Sequence, residues 1–325
     1  MENASLANQT HSEGSRAVRW PGAVMMLYSC TCLFLYVLCM VSMVRNKDTR
    51  KMPSYRLILH MGLAEMTQLV LNGLVGGVFS LCQTDFNFLF NRTVGGVLNS
   101  AWITYSLMAD LLAWNRLLQM YKPNLTKVLF TMRNMHIVIA ACWAYGLAWM
   151  VTFMCPGYDL YYRPAEHYWD YGVTPECMNL AMAELVQDVG HCASMIFCYG
   201  CVLVKLIKQA KEISQSQINA DKKEKIVLLQ SMWICAIDVG TVATLVSNSM
   251  IGSSNHWTFF VNTMIWLTSA GSNPIVYLAA NKSVRHEVKV ILSQFRKQKV
   301  APTGTNSQHV GSSTTQKINV SPSLR

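Results

Sequence analysis

The amino-acid sequence predicts an all-α membrane protein, a seven-transmembrane-helix bundle with its N-terminus outside the cell and its C-terminus in the cytosol. Three observations predict this fold class. Of the 325 residues, 52% are apolar and only 14% are charged, whereas an ordinary soluble domain carries roughly 25% charged residues. Seven apolar runs are each long enough to cross a bilayer, which takes about 20 residues. Finally, most of the basic residues lie in alternate connecting segments, which would all be on the same side of the membrane.

The seven apolar runs follow one another between residues 21 and 280, which we interpret as one transmembrane domain. Their approximate limits are 21–44, 54–82, 95–121, 135–154, 178–204, 226–251 and 257–280. Glycine and proline inside the second and seventh runs are compatible with spanning helices, because neighbouring helices satisfy the backbone groups that these residues free. Residues 1–20 are polar and lack the pattern of a cleavable signal peptide, so we interpret them as an extracellular tail.

The basic residues orient the predicted bundle. Of the 27 Lys and Arg, 21 lie in the segments after runs one, three, five and seven, and Arg56 and Arg116 lie at run ends on the same side, which gives 23. The other four lie on the opposite side. Because cytoplasmic segments carry the excess of Lys and Arg, the crowded side is predicted to be cytosolic. The net charge of +10 therefore faces anionic membrane lipid and cytosolic partners, and nucleic acid is not an expected partner.

The segment after the seventh run has the pattern of a membrane-surface helix. Residues 281–299 carry one apolar stripe at helical spacing with basic residues around it, which is typical of a short amphipathic helix on the inner leaflet. The stripe consists of Val284, Val288, Ile291, Leu292 and Phe295. Residues 300–325 are rich in Ser and Thr and poor in apolar residues, so we expect a disordered cytosolic tail.

Acidic residues lie inside the apolar runs, where an ionisable side chain costs about 2.5–3.5 kcal/mol on insertion scales and is a functional candidate by default. In the outer half of run five, Glu184, Asp188 and His191 are spaced i, i+4 and i+7, which places them on one helix face. Such a stripe suits contact with a cationic ligand or a metal, or an internal hydrogen-bond network. Asp238 in run six is a second candidate for ligand contact, with a network role equally open.

The predicted loop between runs four and five contains six aromatic residues between Cys155 and Cys177. Trp169 is the candidate among them for ligand contact, because aromatic side chains in such a loop can cover a pocket and stack on an apolar ligand. Aromatic residues at this depth are also ordinary anchors at the membrane–water interface. Run seven contains no lysine that could form a retinal Schiff base, and no cofactor or bound metal is expected.

Two short motifs stand at the predicted cytosolic ends of the helices. Run three closes on Asn115 and Arg116, and run seven contains Asn273-Pro274-x-x-Tyr277. Both resemble the cytoplasmic-end motifs of rhodopsin-like G-protein-coupled receptors. Four longer stretches are more similar to the nematode Srt-type serpentine chemoreceptors. They are residues 53–65, 112–117, 228–235 and 275–285.

The resemblance implies a chemosensory receptor in the plasma membrane that binds a small-molecule or peptide cue and activates a heterotrimeric G protein. Asn115, Arg116, Asn273, Pro274 and Tyr277 would then serve coupling and activation. Glu65 stands where the wider family has Asp, and we expect it to form a polar switch in the core together with Asn273 and Ser269.

The sequence departs from the family pattern at the outer disulfide. Run three has no Cys at its head, where the common extracellular bridge begins. Cys82 in the preceding segment is the nearest substitute, with Cys177 or, less favourably, Cys155 as its partner.

The alternative from another class is a polytopic transporter or ligand-gated channel that uses the intramembrane acids. Such proteins favour internal repeats. We find no repeat relating the two halves, and an odd number of spans divides poorly into two. The eight His are scattered and no catalytic motif is present, so an enzyme is not expected.

The predicted orientation is testable through its sequons. Asn3, Asn8 and Asn91 lie on the predicted outer side and are candidate glycosylation sites, whereas the sequon at Asn124 lies on the cytosolic side. We expect Asn3→Gln and Asn8→Gln each to reduce the mobility shift that a glycosidase produces on a gel. A shift that depends on Asn124 would reverse the orientation.

Overall fold

Ten helices and one β-hairpin make up the part of the chain that the computed structural model describes, which is residues 18–46, 52–212, 232–244, 246–247, 256–280 and 282–300. Asn3, Asn8 and residues 301–325 of the predicted tail lie outside this part. The helices are α1 Trp20–Arg45, α2 Pro53–Gln68, α3 Gly76–Cys82, α4 Phe88–Tyr121, α5 Pro123–Leu129, α6 Met132–Met154, α7 Pro175–Glu212, α8 Met232–Thr244, α9 His256–Ala280 and α10 Lys282–Val300.

The helices correspond to the seven predicted spans in order. Span two consists of α2, a π-helical segment Leu69–Val75 and α3. Spans one, three, four, five and seven are α1, α4, α6, α7 and α9, and α8 is the described part of span six. The short α5 lies between spans three and four, and α10 follows span seven.

Span three is the central helix of the bundle. By length and composition alone, spans one, two, four and five qualify as membrane-crossing helices, and Met232–Thr244 is apolar but shorter. Span three contacts spans two, four and five and buries a row of polar side chains along its length, among them Asn99, Thr104, Ser106 and Asn115. Because its neighbours shield these groups from lipid, a helix of lower apolar content can occupy this position.

A β-hairpin between spans four and five adds a feature that the all-α prediction did not include. Strands β1 Leu160–Arg163 and β2 Tyr168–Tyr171 pair antiparallel, with Leu160 opposite Tyr171. The aromatic residues of both strands have high β-propensity, and this was the available sequence signal. The hairpin buries Tyr162 and Trp169 against the bundle, and we call the end that it covers the hairpin end.

Two residues at the head of span three hold the hairpin. The Asn91 amide donates to the Tyr162 carbonyl at 3.0 Å, and its Oδ1 accepts the Tyr162 N–H at 2.7 Å. Arg92 Nε donates to the Phe153 carbonyl at 2.8 Å and lies 2.9 Å from the Asp159 carboxylate. The Asn91 side chain is thus committed to the hairpin, and the residue is 0% exposed. In this structure the Asn91 amide, a candidate glycosylation site, is buried and already hydrogen-bonded, so it is not exposed as the sequon suggested.

The disulfide expected at Cys82 is not formed in this structure. All eleven cysteines lie in the described part of the chain, and all are free thiols. Cys82 and Cys155 are exposed, whereas the buried Cys177 donates its thiol to the Asp159 carbonyl at 3.0 Å. The Cys177 thiol is therefore directed to the segment before β1, and hydrogen bonds from span three hold the loop instead of a bridge to Cys82.

Helix α10 packs on the bundle through its predicted apolar stripe. Val284, Val288 and Ile291 are buried, and α10 contacts span one and span seven. Leu292 is exposed, and the side chain of Phe295 lies outside the described residues. The Arg285 guanidinium donates to the Leu278 carbonyl at 3.0 Å, a favourable position for a cation because the last carbonyls of a helix lack partners.

The close approach of β1 to span three generates a stability prediction. A Cβ on Gly95 would overlap the Leu160 carbonyl oxygen, so Gly95→Ala must displace the hairpin, and overpacking typically costs about 1–3 kcal/mol. We expect this variant to lower the Tm of the purified receptor. Gly190→Ala is the matched control because a Cβ there meets nothing within 4 Å. Equal Tm values for the two variants would contradict the packing.

Candidate functional site

The polar stripe of span five faces span three. Glu184 Oε2 accepts from the Asn99 amide at 2.7 Å, and Asp188 Oδ1 accepts from the Trp102 indole N–H at 3.0 Å. One turn further, His191 Nδ1 lies 3.1 Å from Asp110 Oδ1. The three residues thus share one helix face, as their spacing predicts, and each has a partner on the central helix. We call these three contacts the span three–five ladder.

The ladder is continued towards the other end of the bundle by neutral groups. The Trp114 indole donates to the Ser194 hydroxyl at 3.2 Å, and the Tyr121 hydroxyl donates to the Cys201 carbonyl at 2.9 Å. At the hairpin end, the Asn99 amide also donates to the Tyr171 hydroxyl at 3.1 Å. Polar contacts therefore join spans three and five from the hairpin to the far end.

Two further acids converge on span seven. Glu65 of span two accepts hydrogen bonds from the Tyr36 hydroxyl and the Asn273 amide. Asp238 of span six accepts from the Tyr105 hydroxyl at 2.9 Å and the Ser269 hydroxyl at 2.6 Å. Ser269 and Asn273 are one helical turn apart, so the two acids approach the same face of span seven.

This arrangement changes one expectation about the polar switch. Asn273 lies beside Glu65 as the sequence analysis expected, but Ser269 is hydrogen-bonded to Asp238. The reason is the helical spacing, which places Ser269 one turn closer to the hairpin end. Asp238 is 1% exposed and has two hydroxyl donors, so its resting position is within the network.

An indole bridge connects the ladder with span two. Trp102 holds Asp188 through its N–H, and its ring centroid lies 6.1 Å from that of Trp266 in an edge-to-face contact. The Trp266 indole donates to Gln68 Oε1 at 2.8 Å. These contacts therefore link span five to span three, span three to span seven, and span seven to span two in the middle of the bundle. Trp169 of the hairpin makes a similar contact with span two: its indole N–H donates to Asn72 Oδ1 at 3.0 Å.

The residues expected to serve coupling lie at the end opposite the hairpin. Asn115 accepts from the Ser54 hydroxyl at 3.0 Å, which ties span three to span two. Arg116 Nη1 reaches Gln119 on its own helix at 3.5 Å, and within the described residues no hydrogen bond joins it to Tyr277. The Pro274 carbonyl accepts from the Cys39 thiol at 3.6 Å.

The uncharged members of these networks were not predicted from the sequence. The missed residues are Tyr36, Gln68, Asn72, Asn99, Trp102, Tyr105 and Trp266. A side-chain amide within an apolar run was an available signal for Gln68, Asn72 and Asn99. The aromatic members gave none, because tyrosine and tryptophan are common in spanning helices for their apolar rings alone.

Comparison with known proteins gives two matches of different kinds. The profile of the family described as serpentine type 7TM GPCR chemoreceptor Srt matches residues 3–301. Among solved structures, the crystal structure of squid rhodopsin aligns with a TM-score of 0.66, covering 91% of this chain and 95% of that chain at 12% identity. At this low identity, the structural similarity shows a shared fold and nothing further. Comparison with curated protein sequences gives no match.

Proposed function

Because the chain belongs to the Srt family of serpentine seven-transmembrane chemoreceptors, we propose that it binds a chemical cue at the hairpin end and activates a heterotrimeric G protein at the opposite end. The proposal places the receptor in the plasma membrane with the hairpin end outside, in agreement with the 23 of 27 basic residues on the other side. Membership of a receptor family favours this function over the transporter or channel alternative and over catalysis.

The observation that carries the proposal is the continuity of the buried contacts between the two ends. Tyr171 of the hairpin and Glu184 share the Asn99 amide. Below them, Trp102 packs on Tyr105 with ring centroids 5.9 Å apart, and Tyr105 binds Asp238. On span seven, Ser269 donates a hydrogen bond to Asp238 and Asn273 donates one to Glu65, which extends the series of contacts to span two. A cue that displaces one of these groups changes the partners of the next, because buried polar groups must remain hydrogen-bonded.

The proposed ligand-contacting groups are Trp169, Glu184, Asp188 and His191, with Asp238 deeper in the same network. Trp169 is on the hairpin itself, and a ligand entering beneath the hairpin would meet Glu184, Asp188 and His191 before it reached Asp238. A carboxylate can accept several hydrogen bonds, and Asp188 receives the Trp102 indole at one oxygen, which leaves acceptor capacity for a donor group of the ligand.

At the opposite end, Arg116, Asn115 and Tyr277 are proposed to respond to that change. Tyr277 packs against the same hydrophobic core as Tyr199 and lies one helical turn after Asn273, which is hydrogen-bonded to Glu65, so a shift in the Glu65 network changes its surroundings. We propose that Arg116, half-buried and held only to Gln119 of its own helix among the described contacts, is then released to contact the G protein.

A coupling experiment tests the function. The receptor is expressed with a G-protein biosensor and stimulated with a chemical panel, while membrane conductance is recorded. We expect Arg116→Ala and Tyr277→Ala to lose the G-protein response and keep surface expression. Arg133→Ala, an exposed arginine at the same end, is the matched control and should respond normally. A current that does not require the G protein would favour the channel alternative, and normal coupling in both variants would contradict the assigned roles.

A charge-removal experiment tests the ligand contacts. Asp188→Asn keeps the side-chain shape and an oxygen for the Trp102 indole, but it removes the charge. If the ligand binds here, potency should fall by about tenfold, the effect of roughly 1.4 kcal/mol, with unchanged surface expression. Glu184→Gln and His191→Ala should act in the same direction. Unchanged potency in all three variants would contradict ligand binding at these residues. Lower surface expression with unchanged potency would indicate that they serve folding.

A further inference from the structure

Span two carries buried hydrogen-bond donors that neither the span three–five ladder nor the Glu65 and Asp238 networks use. Gln68 and Asn72 are one helical turn apart and each is 1% exposed. Each amide oxygen accepts an indole N–H, from Trp266 at 2.8 Å and from Trp169 at 3.0 Å. Gln68 Nε2 and Asn72 Nδ2 have no hydrogen-bond partner within the described residues.

The indoles fix which way these amides point. An indole N–H is only a donor, so the oxygen of each amide must face the ring and the NH₂ group must face away from it. Side-chain amides are otherwise easily assigned in either orientation, but here the partner removes the ambiguity. The two unpaired groups are therefore donors, and an acceptor must satisfy them.

The backbone presents these amides through an irregular turn. Gln68 closes α2 and Asn72 lies within the π-helical segment Leu69–Val75. Single π-helical turns inside α-helices are uncommon and occur frequently at functional sites. Gly73 permits the segment to pack on span one, because a Cβ there would overlap the Ser29 hydroxyl. The widened turn is thus wedged between span one and the indoles of Trp169 and Trp266.

From this geometry we infer a subsite for a hydrogen-bond acceptor of the cue, such as a ketone, ester or ether oxygen on an apolar body. An unpaired buried donor destabilises the unliganded receptor because it has lost its hydrogen bond to water, so the amides favour any ligand that brings an oxygen to them. The indoles of Trp169 and Trp266 bring apolar ring surface next to the two amides, against which an apolar ligand body can pack. The inference rests on the proposed function in that it assigns part of the cue's chemistry, and it differs from the span-five contacts, which receive donors.

Ligand-induced thermal stabilisation of the purified receptor tests the subsite without a G protein, because a ligand that binds the native state raises Tm. The probes are pairs of compounds on one carbon skeleton, one with a ketone oxygen and one with a methylene in its place. Linear, branched and cyclic skeletons are each supplied in neutral and in ammonium-bearing form. We expect the ketone member to bind about tenfold more tightly than its methylene partner.

Three variants locate that preference. Gln68→Met and Asn72→Leu replace each amide by an apolar side chain of similar size, and both should abolish the ketone preference. Gln187→Met is the matched control, because that amide accepts the Tyr145 hydroxyl at the boundary of spans four and five. Comparing ketone and methylene within each variant cancels any change in the stability of the unliganded receptor.

The outcomes separate the two proposals. Equal stabilisation by ketone and methylene members in the wild-type receptor would overturn the subsite, and so would a preference that survives in both span-two variants. No stabilisation by any ketone would overturn it as well. A ketone preference that depends on Gln68 and Asn72 but evokes no G-protein response would support the subsite and contradict the proposed function.

Discussion

A polar side chain within a membrane bundle has no bulk water to satisfy it, and this constraint organises the receptor around span three. That helix carries amides, hydroxyls and a carboxylate at successive depths, and its neighbours supply the partners. Ser54 of span two meets Asn115, Glu184 of span five meets Asn99, and Asp238 of span six meets Tyr105. Each unmatched group would cost about 1–3 kcal/mol, so the helices pack in the arrangement that pairs them.

The same constraint explains how the hairpin stays in place with free cysteines. Asn91 and Arg92 begin span three with side chains that reach the backbone of the loop. On span two, Ser80 shares a hydrogen bond with the Tyr162 hydroxyl at 2.6 Å, and burial raises the pKa of the Tyr162 phenol, which keeps it neutral. The hairpin is therefore positioned by several buried polar contacts, and its position does not require a covalent bridge.

The aromatic residues at mid-bundle give the polar groups a common boundary. Trp102 touches the rings of Tyr105, His191 and Trp266, so the ladder, the Asp238 network (through Tyr105) and Gln68 of span two all border the pair of indoles Trp102 and Trp266. Packed side chains change between discrete arrangements and do not deform continuously. A ligand that shifts Trp102 or Trp266 would consequently act on all three groups at once, which is a physical basis for linking recognition to the helix ends.

The sequence alone determined the membrane class, the seven spans and the one-face placement of Glu184, Asp188 and His191, because apolar length and helical spacing are local properties of the chain. It did not determine which polar side chains form hydrogen bonds with each other. Asn99 and Glu184 are 85 residues apart, and Ser269 and Asp238 are 31 apart, so only the packed bundle decides these pairs. The same holds for Asn91, whose sequon indicated an exposed glycan site, whereas the approach of β1 buries it. Local patterns specify which faces are polar; the tertiary structure specifies which polar atoms meet, because that depends on helix rotation and depth across the whole bundle.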